Sequence, residues 1–479
     1  MKFEKEKTMK LFLGCTLMLS AALVACGGGD EMFAGIDARG TPVRVGIVSK
    51  GTITGFGSII VNGIRFDTAS ASIDVDGNAG TQSDLKVGHV VVVRGTMNDD
   101  GTDAVADTVS FDDLVEGPIS AIDTAAGTIT VLGQLVVIDD DTSFDEEISP
   151  ASIDGLNVND TVEVSGFLLA DGSISATRIE RKMAGSEFEV TGHVSNLTAT
   201  TFQINDLTVD FSAAQLDDFP AGSPENGQRV EAKGNSLGGS GELLATRVKF
   251  KGDELEADDG DQIEIEGFIT RFASATDFEV DGIPVITNAS TVFENGESGD
   301  LALNTKVEVE GPMDANGIIT ATKVEIKLAN FIRIEGIVES VTDTAVTIFG
   351  VQINTNSLTR FEDKSAVSLE IFGQTDINVG DYLETRGFEI ASGVVATRVE
   401  REDFDDEVAI RAFVDSVSAP NFTIRGVPIE TNAATVFRDT LDQVIPAGDF
   451  FAQAMGRLVE AEGSPNNGGI LANEVEMED

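Results

Sequence analysis

The sequence predicts an all-β protein, a tandem array of about six small five-stranded β-barrels of OB type. The first observation is a tight turn that recurs between two β-type runs, where Gly, Asn or Asp tolerates a positive φ. The turns are Asn62-Gly63, Leu132-Gly133, Asn205-Asp206, Asp281-Gly282, Phe349-Gly350 and Arg425-Gly426. The second is a strand of the form V-x-V-x-G, and the third is a closing strand that reads A-T-R-V-E or a variant of it. Because all three recur about every 70 residues, the chain consists of repeats of one unit.

Units begin with a strand around a glycine, as at Gly117 and Gly267, although the sixth unit has Ala412 at this position. The hairpin follows, and after it a variable stretch that often contains a T-x-F element such as Thr142-Ser143-Phe144. The next strand ends in a glycine, and the unit then finishes with the closing strand. The terminal glycines are Gly95, Gly166, Gly234, Gly311, Gly387 and Gly463.

Side-chain alternation supports these strands. In T-V-E-V-S it directs Val164 to the core and Glu163 to solvent, as in a half-buried antiparallel strand. In the closing strand, Ile174 and Ala176 share one parity and Ile179 has the other. This change predicts a β-bulge near the Thr-Arg pair.

Five short strands, one of them bulged, favour a closed barrel over an open sheet with two unprotected edges. An SH3-like barrel and a small β-sandwich remain alternatives, because periodicity does not determine strand order or closure. Short linkers predict a string of modules that each bury their own core. The predicted units span 46–113, 114–182, 187–254, 262–328, 331–403 and 407–479.

The N-terminus predicts export. Lys10 precedes the apolar run LFLGCTLMLSAALVA, which is too short to span a membrane, and Leu23-Val24-Ala25-Cys26 resembles a bacterial lipobox. Residues 1–25 are therefore predicted to be a signal peptide, with Cys26 as the lipidated first residue of the mature protein. Residues 26–45 are predicted to be a flexible tether. In a Gram-negative host we expect a lipid anchor in the outer membrane, with the protein on its periplasmic or surface face.

The composition is strongly acidic. The chain has 82 Asp and Glu against 32 Lys and Arg, a formal net charge of −50. A surface of that sign repels nucleic acid and attracts cations or basic proteins. We therefore expect no nucleic-acid partner, and acidity also keeps an exported protein soluble.

The first unit resembles the DUF5666 domain family. The similarity is strongest in GTITGFGSIIVNGIRFDT (51–68) and extends through SDLKVGHVVVVRG (83–95) and VEGPISAID (115–123). Later units keep the V-x-V-x-G and A-T-x-V-E elements but lose G-F-G-S-I. The resemblance implies repeats in an exported bacterial lipoprotein. It implies no catalytic residues, because the family has no established activity.

Two histidines are candidates for acid–base or metal chemistry. His89 and His193 each occupy a position that other units fill with Asp, Pro, Phe or Ile. We therefore expect surface substitutions rather than ligands or general bases. No nucleophile-elbow motif is present. The sequence predicts no catalytic and no cofactor-binding residues.

Acidic turns make Ca²⁺ the candidate ligand. Asp99, Asp100 and Asp103 place several carboxylates on one turn, which suits a hard cation. Similar turns occur at 74–78, 139–141 and 258–261. None reproduces the EF-hand loop, and Asp-Gly is also ordinary turn chemistry. The predicted metal ligands are Asp99, Asp100 and Asp103.

The sequence thus predicts a non-enzymatic exported lipoprotein, a multi-module binding or spacer scaffold at the bacterial cell envelope. Its lipid would hold it to the membrane, and its partner is expected to be another envelope or extracellular macromolecule. The alternative is an envelope hydrolase that acts on glycans, with one active site in a divergent repeat. A pocket of convergent polar groups in a single unit would favour the enzyme, and equivalent faces in all units would favour the scaffold.

Overall fold

The chain folds almost entirely into β-strands. The structure is a computed structural model that describes residues 46–98, 103–139, 141–183, 185–252, 255–328, 331–369, 371–390, 393–404 and 406–478. The α-helix found in these ranges is α1 (Ala447–Gln453). None of the helices in the described residues is long and apolar enough to cross a membrane. The predicted signal peptide, Cys26 and the tether lie outside the described residues.

The strands of the first three units are short. Unit 1 has β1 (Gly46–Gly55), β2 (Ile59–Val61), β3 (Ile64–Asp67), β4 (Ser72–Val75), β5 (Asn78–Gly80), β6 (Val90–Met97) and β7 (Asp103–Phe111). Unit 2 has β8 (Val115–Asp123), β9 (Thr128–Val131), β10 (Gln134–Val137), β11 (Ser143–Phe144), β12 (Thr161–Leu168) and β13 (Ile174–Lys182). Unit 3 has β14 (Phe188–His193), β15 (Thr201–Ile204), β16 (Leu207–Asp210), β17 (Gln215–Asp217), β18 (Arg229–Leu237) and β19 (Leu243–Phe250).

The last three units follow the same plan. Unit 4 has β20 (Gln262–Ser274), β21 (Asp277–Val280), β22 (Ile283–Ile286), β23 (Val292–Glu294), β24 (Lys306–Pro312), β25 (Ile319–Thr320) and β26 (Lys323–Ile326). Unit 5 has β27 (Ile332–Ile337), β28 (Ser340–Thr342), β29 (Ala345–Ile348), β30 (Val351–Asn354), β31 (Arg360–Asp363), β32 (Tyr382–Ile390) and β33 (Gly393–Glu402). Unit 6 has β34 (Val408–Ser418), β35 (Asn421–Ile424), β36 (Val427–Glu430), β37 (Val436–Arg438), β38 (Leu458–Asn466) and β39 (Gly469–Met477).

The strands of a unit close into a small barrel. In unit 2, β8 pairs with β9, β9 with β10, and β10 runs parallel to β13. Strand β13 pairs with β12, which returns to β8. Unit 6 has the same order, from β34 through β35, β36, β39 and β38 back to β34. The prediction of an all-β array of small barrels is confirmed.

Opening strands join the barrels in pairs. Strand β1 of unit 1 runs parallel to β20 of unit 4, while β8 pairs antiparallel with β14 and β27 with β34. The apolar cores follow the same pairs, since one cluster spans units 2 and 3 and another spans units 5 and 6. Val48 and Val92 of unit 1 belong to the core of unit 4. The prediction that each module buries its own core is therefore wrong, because the cores extend over pairs of units.

The predicted bulge in the closing strand is present, and it explains the terminal glycine. Ser165 lies opposite Arg178 and Gly166 opposite Ala176, so Thr177 is the extra residue. A Cβ on Gly166 would lie 2.2 Å from the carbonyl oxygen of Ser175. Equivalent approaches of 2.1–2.5 Å to a backbone oxygen occur at Gly95, Gly234, Gly311, Gly387 and Gly463. Any side chain there would force the two strands apart.

The T-x-F element contacts this bulge. Thr142 Oγ1 donates a hydrogen bond of 2.9 Å to the carbonyl oxygen of Ala176. The same bond, 2.7–2.8 Å long, joins Thr291 to Ala321, Thr359 to Ala396 and Thr435 to Ala472. Because each of these alanines belongs to the A-T-R motif or its variant, the two sequence motifs form two halves of one contact.

Replacing a terminal glycine should destabilise its unit. In Gly311→Ala the new methyl group would lie 2.1 Å from the carbonyl oxygen of Thr320. We expect a loss of about 1–3 kcal/mol in the free energy of unfolding, since overpacking moves the backbone. Chemical denaturation measures it. Gly299→Ala is the control in the same unit, because a Cβ there meets nothing within 4 Å. Equal stability of the two variants would contradict the role of the close approach.

A fragment that contains both units of a pair should be more stable than a fragment of one unit. A fragment of residues 114–252 contains both partners of one pair, and we expect it to melt cooperatively. A fragment of residues 262–328 lacks β1 and the two valines that complete its core, so it should melt at a lower temperature or without cooperativity. Circular dichroism during heating compares them. A single unit that melts as high as the pair would show that the shared core adds nothing.

Candidate functional site

The outer face of the barrels carries buried charge. The residue three positions before the terminal glycine is a glutamate in units 2 to 6, namely Glu163, Glu231, Glu308, Glu384 and Glu460. Glu163 is 4% exposed, so its predicted orientation to solvent is wrong. Alternation distinguishes the inside of a barrel from its outside, but the outside here is covered by neighbouring units. Glu231, Glu308 and Glu384 are buried as well.

Several of these glutamates face another glutamate across the sheet. Glu163 lies opposite Glu180, and Glu308 lies opposite Glu325. Like charges directly opposite are destabilising. Lysines offset them, because Lys182 Nζ lies 2.6 Å from a Glu163 oxygen and Lys327 Nζ lies 2.8 Å from Glu308.

The lysines do not cancel the effect of burial. Burial raises the pKa of Glu163 to about 7, although Lys182 acts in the opposite direction. Burial likewise raises the pKa of Glu308 to about 7 against the effect of Lys327. Both carboxyl groups therefore titrate near neutral pH, unlike exposed glutamates.

Arginines connect the units through this face. Arg333 of unit 5 donates to Glu384 in its own unit and to Glu462 in unit 6, each over 3.1 Å. Arg178 of unit 2 donates to the carbonyl oxygen of Val87 in unit 1 over 3.1 Å. Arg398 of unit 5 donates to the carbonyl oxygen of Thr142 in unit 2 over 2.8 Å. The A-T-R arginines of units 2 and 5 thus form contacts between units.

A cleft of about 490 Å³ lies where units 1, 2, 4 and 5 meet. Its lining combines acidic, basic and aromatic side chains, which include Asp139, Asp141, Glu266, Lys306, Lys327, Arg360, Phe268 and Phe388. The residues come from four units that are distant in the sequence. Such a mixed surface can bind a ligand that has both polar and apolar parts.

Ion pairs organise the cleft. Glu266 accepts from Lys306 Nζ over 2.9 Å and from the backbone N–H of Thr52 over 3.1 Å. Burial alone would raise the pKa of Glu266, but Lys306 and Lys327 outweigh it and hold this pKa at about 2. The pKa of Asp139 is raised by burial and by the nearby Asp141. The cleft therefore holds one carboxylate that stays ionised and one carboxyl group that protonates more easily.

The predicted Ca²⁺ turn is described in part. Asp99 and Asp100 lie outside the described residues. Asp103 binds Arg65 with both oxygens, at 3.1 Å from Nε and 2.5 Å from Nη2. Its hydrogen bond to Arg65 lowers the pKa of Asp103. Ca²⁺ would have to displace this arginine, and a site formed with the other two aspartates stays a prediction.

The structure brings other acidic residues together at the junction of units 1, 2 and 3. Ligand oxygens of Asp76, Asp113 and Glu189 lie within 4.8 Å of one another, and so do those of Asp113, Glu116 and Glu163. A smaller group contains Glu264, Glu308 and Glu310. The sequence indicated the acidic turn at 74–78, which contains Asp76, but not the residues grouped with it or the other groups. The repeated glutamate of the V-x-V-x-G strand was a signal, but nothing in the local pattern indicated its neighbours.

The two histidines differ. His89 is 2% exposed and stacks on Phe111 with ring centroids 3.9 Å apart, so its predicted surface position is wrong. Burial lowers the pKa of His89 to about 4, although Glu180 lies 3.3 Å from its Nε2. The ring is neutral at pH 7 and packs as an aromatic group. His193 is exposed, as predicted.

The buried His89 should make the protein sensitive to acid. Because its folded pKa of about 4 lies below the unfolded value of 6.5, protonation favours the unfolded state. The stability that the neutral, buried His89 contributes is present above pH 6.5 and is lost as the pH falls toward 4. His89→Gln should reduce the loss by on the order of 3 kcal/mol. Denaturant titrations from pH 7 to 4 measure it, and His193→Gln should give a smaller reduction, although burial lowers the pKa of His193 as well. An unchanged pH dependence in His89→Gln would refute the assignment.

A comparison with protein families supports the division of the chain into six repeats. A family model described as "Domain of unknown function (DUF5666)" matches residues 45–109, 116–180, 191–249, 266–325, 335–400 and 411–476. No protein with a curated description matches the chain in sequence. A solved structure described as "drosophila Unr CSD456" is similar over 43% of this chain and 96% of its own, at 12% identity and a TM-score of 0.14. That score is too low to indicate fold or binding.

Proposed function

Since the chain belongs to the DUF5666 family, a domain of unknown function present here in six copies, we propose that it is a non-enzymatic binding or spacer scaffold at the bacterial cell envelope. The observation that carries the proposal is the joining of the units. Opening strands of different units share backbone hydrogen bonds, and charged outer faces are buried between units. The repeats are thus joined through their strands, and such joining supports a multi-module scaffold.

The cleft between four units is the proposed binding surface. Its lining belongs to no single unit, which favours a surface created by assembly over an active site in one divergent repeat. Lys306, Lys327 and Arg360 supply donors, while Phe268 and Phe388 supply flat apolar surface. This combination suits part of an envelope or extracellular macromolecule. A nucleic acid is not proposed, because the chain has a net charge of −50.

One observation supports the alternative hydrolase. The pKa values of Asp139 and Glu266 are shifted in opposite directions within the same cleft. Glycosidases use one protonated and one ionised carboxyl group in this way. Release of reducing sugar from envelope glycans by the wild type, but not by Asp139→Asn, would favour the enzyme over the scaffold.

Anchoring is proposed at Cys26, in the sequence Leu23-Val24-Ala25-Cys26. Cys26→Ser should convert a membrane-bound protein into one that is soluble or accumulates as a precursor, because the serine cannot receive the lipid through a thioether. Membrane fractionation and mass spectrometry of the mature N-terminus measure this. Ser58→Ala, a change outside the proposed signal region, is the control. An unmodified mature N-terminus at another residue would contradict the anchor.

Binding at the cleft can be tested in cells. A photo-crosslinking residue at Asn295, which is exposed and lines the cleft, should give a discrete adduct with an envelope component. The same residue at Asn316, exposed in the same unit and not part of the lining, is the control. Gel analysis and mass spectrometry compare them. Equal adducts at both positions would argue against the cleft as the binding surface.

A further inference from the structure

Three glutamates stand in one row across the sheet of units 2 and 3. Glu116 on β8 lies opposite Glu163 on β12 at one side and opposite Glu189 on β14 at the other. Glu163 and Glu189 are buried, and Glu116 is half-buried. Such a row of like charges is unfavourable unless positive charge lies close to it.

Two aspartates of unit 1 and its linker cover the row. Asp76 lies on the turn between β4 and β5, and its Oδ1 accepts a hydrogen bond of 3.2 Å from the backbone N–H of Asp113. Asp113 lies on the linker between β7 and β8 and is 1% exposed. The turn and the linker thus add two carboxylates to a place that already holds three.

Two lysines pair with the ends of the row. Lys182 Nζ lies 2.6 Å from a Glu163 oxygen, and Lys233 Nζ lies 2.6 Å from a Glu189 oxygen. The lysines do not satisfy the middle of the cluster. Both carboxylate oxygens of Asp113 and Oε1 of Glu116 have no hydrogen-bond partner among the described residues. A buried carboxylate without a partner is costly, so these oxygens indicate a missing ligand.

We propose that a divalent cation, Ca²⁺, binds at Asp113 between units 1, 2 and 3. In each of the two triads that share Asp113, one oxygen of every residue lies within 4.8 Å of the oxygens of the other two. Oxygens on opposite sides of a Ca²⁺ ion lie about 4.8 Å apart, since each bond is about 2.4 Å long. The unpartnered oxygens of Asp113 would be the central ligands, and Asp76, Glu116, Glu163 and Glu189 would surround them.

The chemistry of the donors favours Ca²⁺ over other divalent ions. All five side chains offer carboxylate oxygens, whereas Zn²⁺ prefers nitrogen and sulfur. Mg²⁺ demands a compact octahedron and keeps several waters, which suits an irregular cluster less well. Asp76 and Glu116 are half-buried, so they leave an entry path from solvent. The bound ion would fasten the linker and three consecutive units together.

The test uses the full chain. Equilibrium dialysis with ⁴⁵Ca²⁺ at fixed ionic strength should show one more bound ion per chain in the wild type than in Asp113→Asn. The affinity of this site should fall about tenfold or more in the variant, because the central ligand loses its charge. The rise in melting temperature at millimolar Ca²⁺, compared with NaCl of matched ionic strength, should decrease in parallel.

Controls separate this site from general attraction to an acidic protein. Asp258→Asn removes the same charge from an exposed turn and should keep the extra ion. Glu264→Gln, in the smaller acidic group, should keep it too. If Asp113→Asn does not fold by circular dichroism, Glu116→Gln takes its place.

Three outcomes would overturn the proposal. The first is equal Ca²⁺ binding by the wild type and Asp113→Asn, or Glu116→Gln where that variant replaces it. The second is a loss of the extra ion in a control variant instead. The third is the absence of Ca²⁺ binding above the level that NaCl screening explains, which would mean that protons alone neutralise the cluster. The inference goes beyond the scaffold proposal and does not depend on the lipid anchor or on the cleft.

Discussion

The arrangement of the units depends on burying the charged outer faces of the barrels. The apolar cores extend over pairs of units, and the outer strands carry Glu, Lys and Arg where units meet. Moving an ion pair out of water costs several kcal/mol per ion unless hydrogen bonds replace the lost hydration. Arg333 of unit 5 meets this condition, because it donates hydrogen bonds to Glu384 in its own unit and to Glu462 of unit 6. Each interface therefore tolerates only a partner whose charges match.

This constraint separates what the repeats share from what distinguishes them. Every unit has a terminal glycine that lets a carbonyl oxygen approach, and four units join a T-x-F threonine to the bulge. The residues around these shared features differ, as Arg178 reaches unit 1 while Arg398 reaches unit 2. One local fold thus supports several unlike interfaces.

The two candidate sites of this protein lie between units. The cleft takes its lining from four units, and the acidic cluster around Asp113 joins three. Both depend on the positions of whole barrels, so a change in one interface would alter a distant surface. This relation is typical of repeat proteins, whose binding surfaces extend over neighbouring modules.

The sequence by itself determined the all-β repeat, the barrel-forming strands, the hairpin turns and the bulge at Thr177, because these follow from contacts between nearby residues. It did not determine the burial of Glu163 and His89, the pairing of β1 with β20, or the groups around Glu266 and Asp113. Alternation reports which side of a strand faces its own core, and it carries no information about what covers the other side. Only the tertiary structure decided that, because β1 and β20 lie more than 200 residues apart and their contact depends on the fit of complete, charged barrel faces.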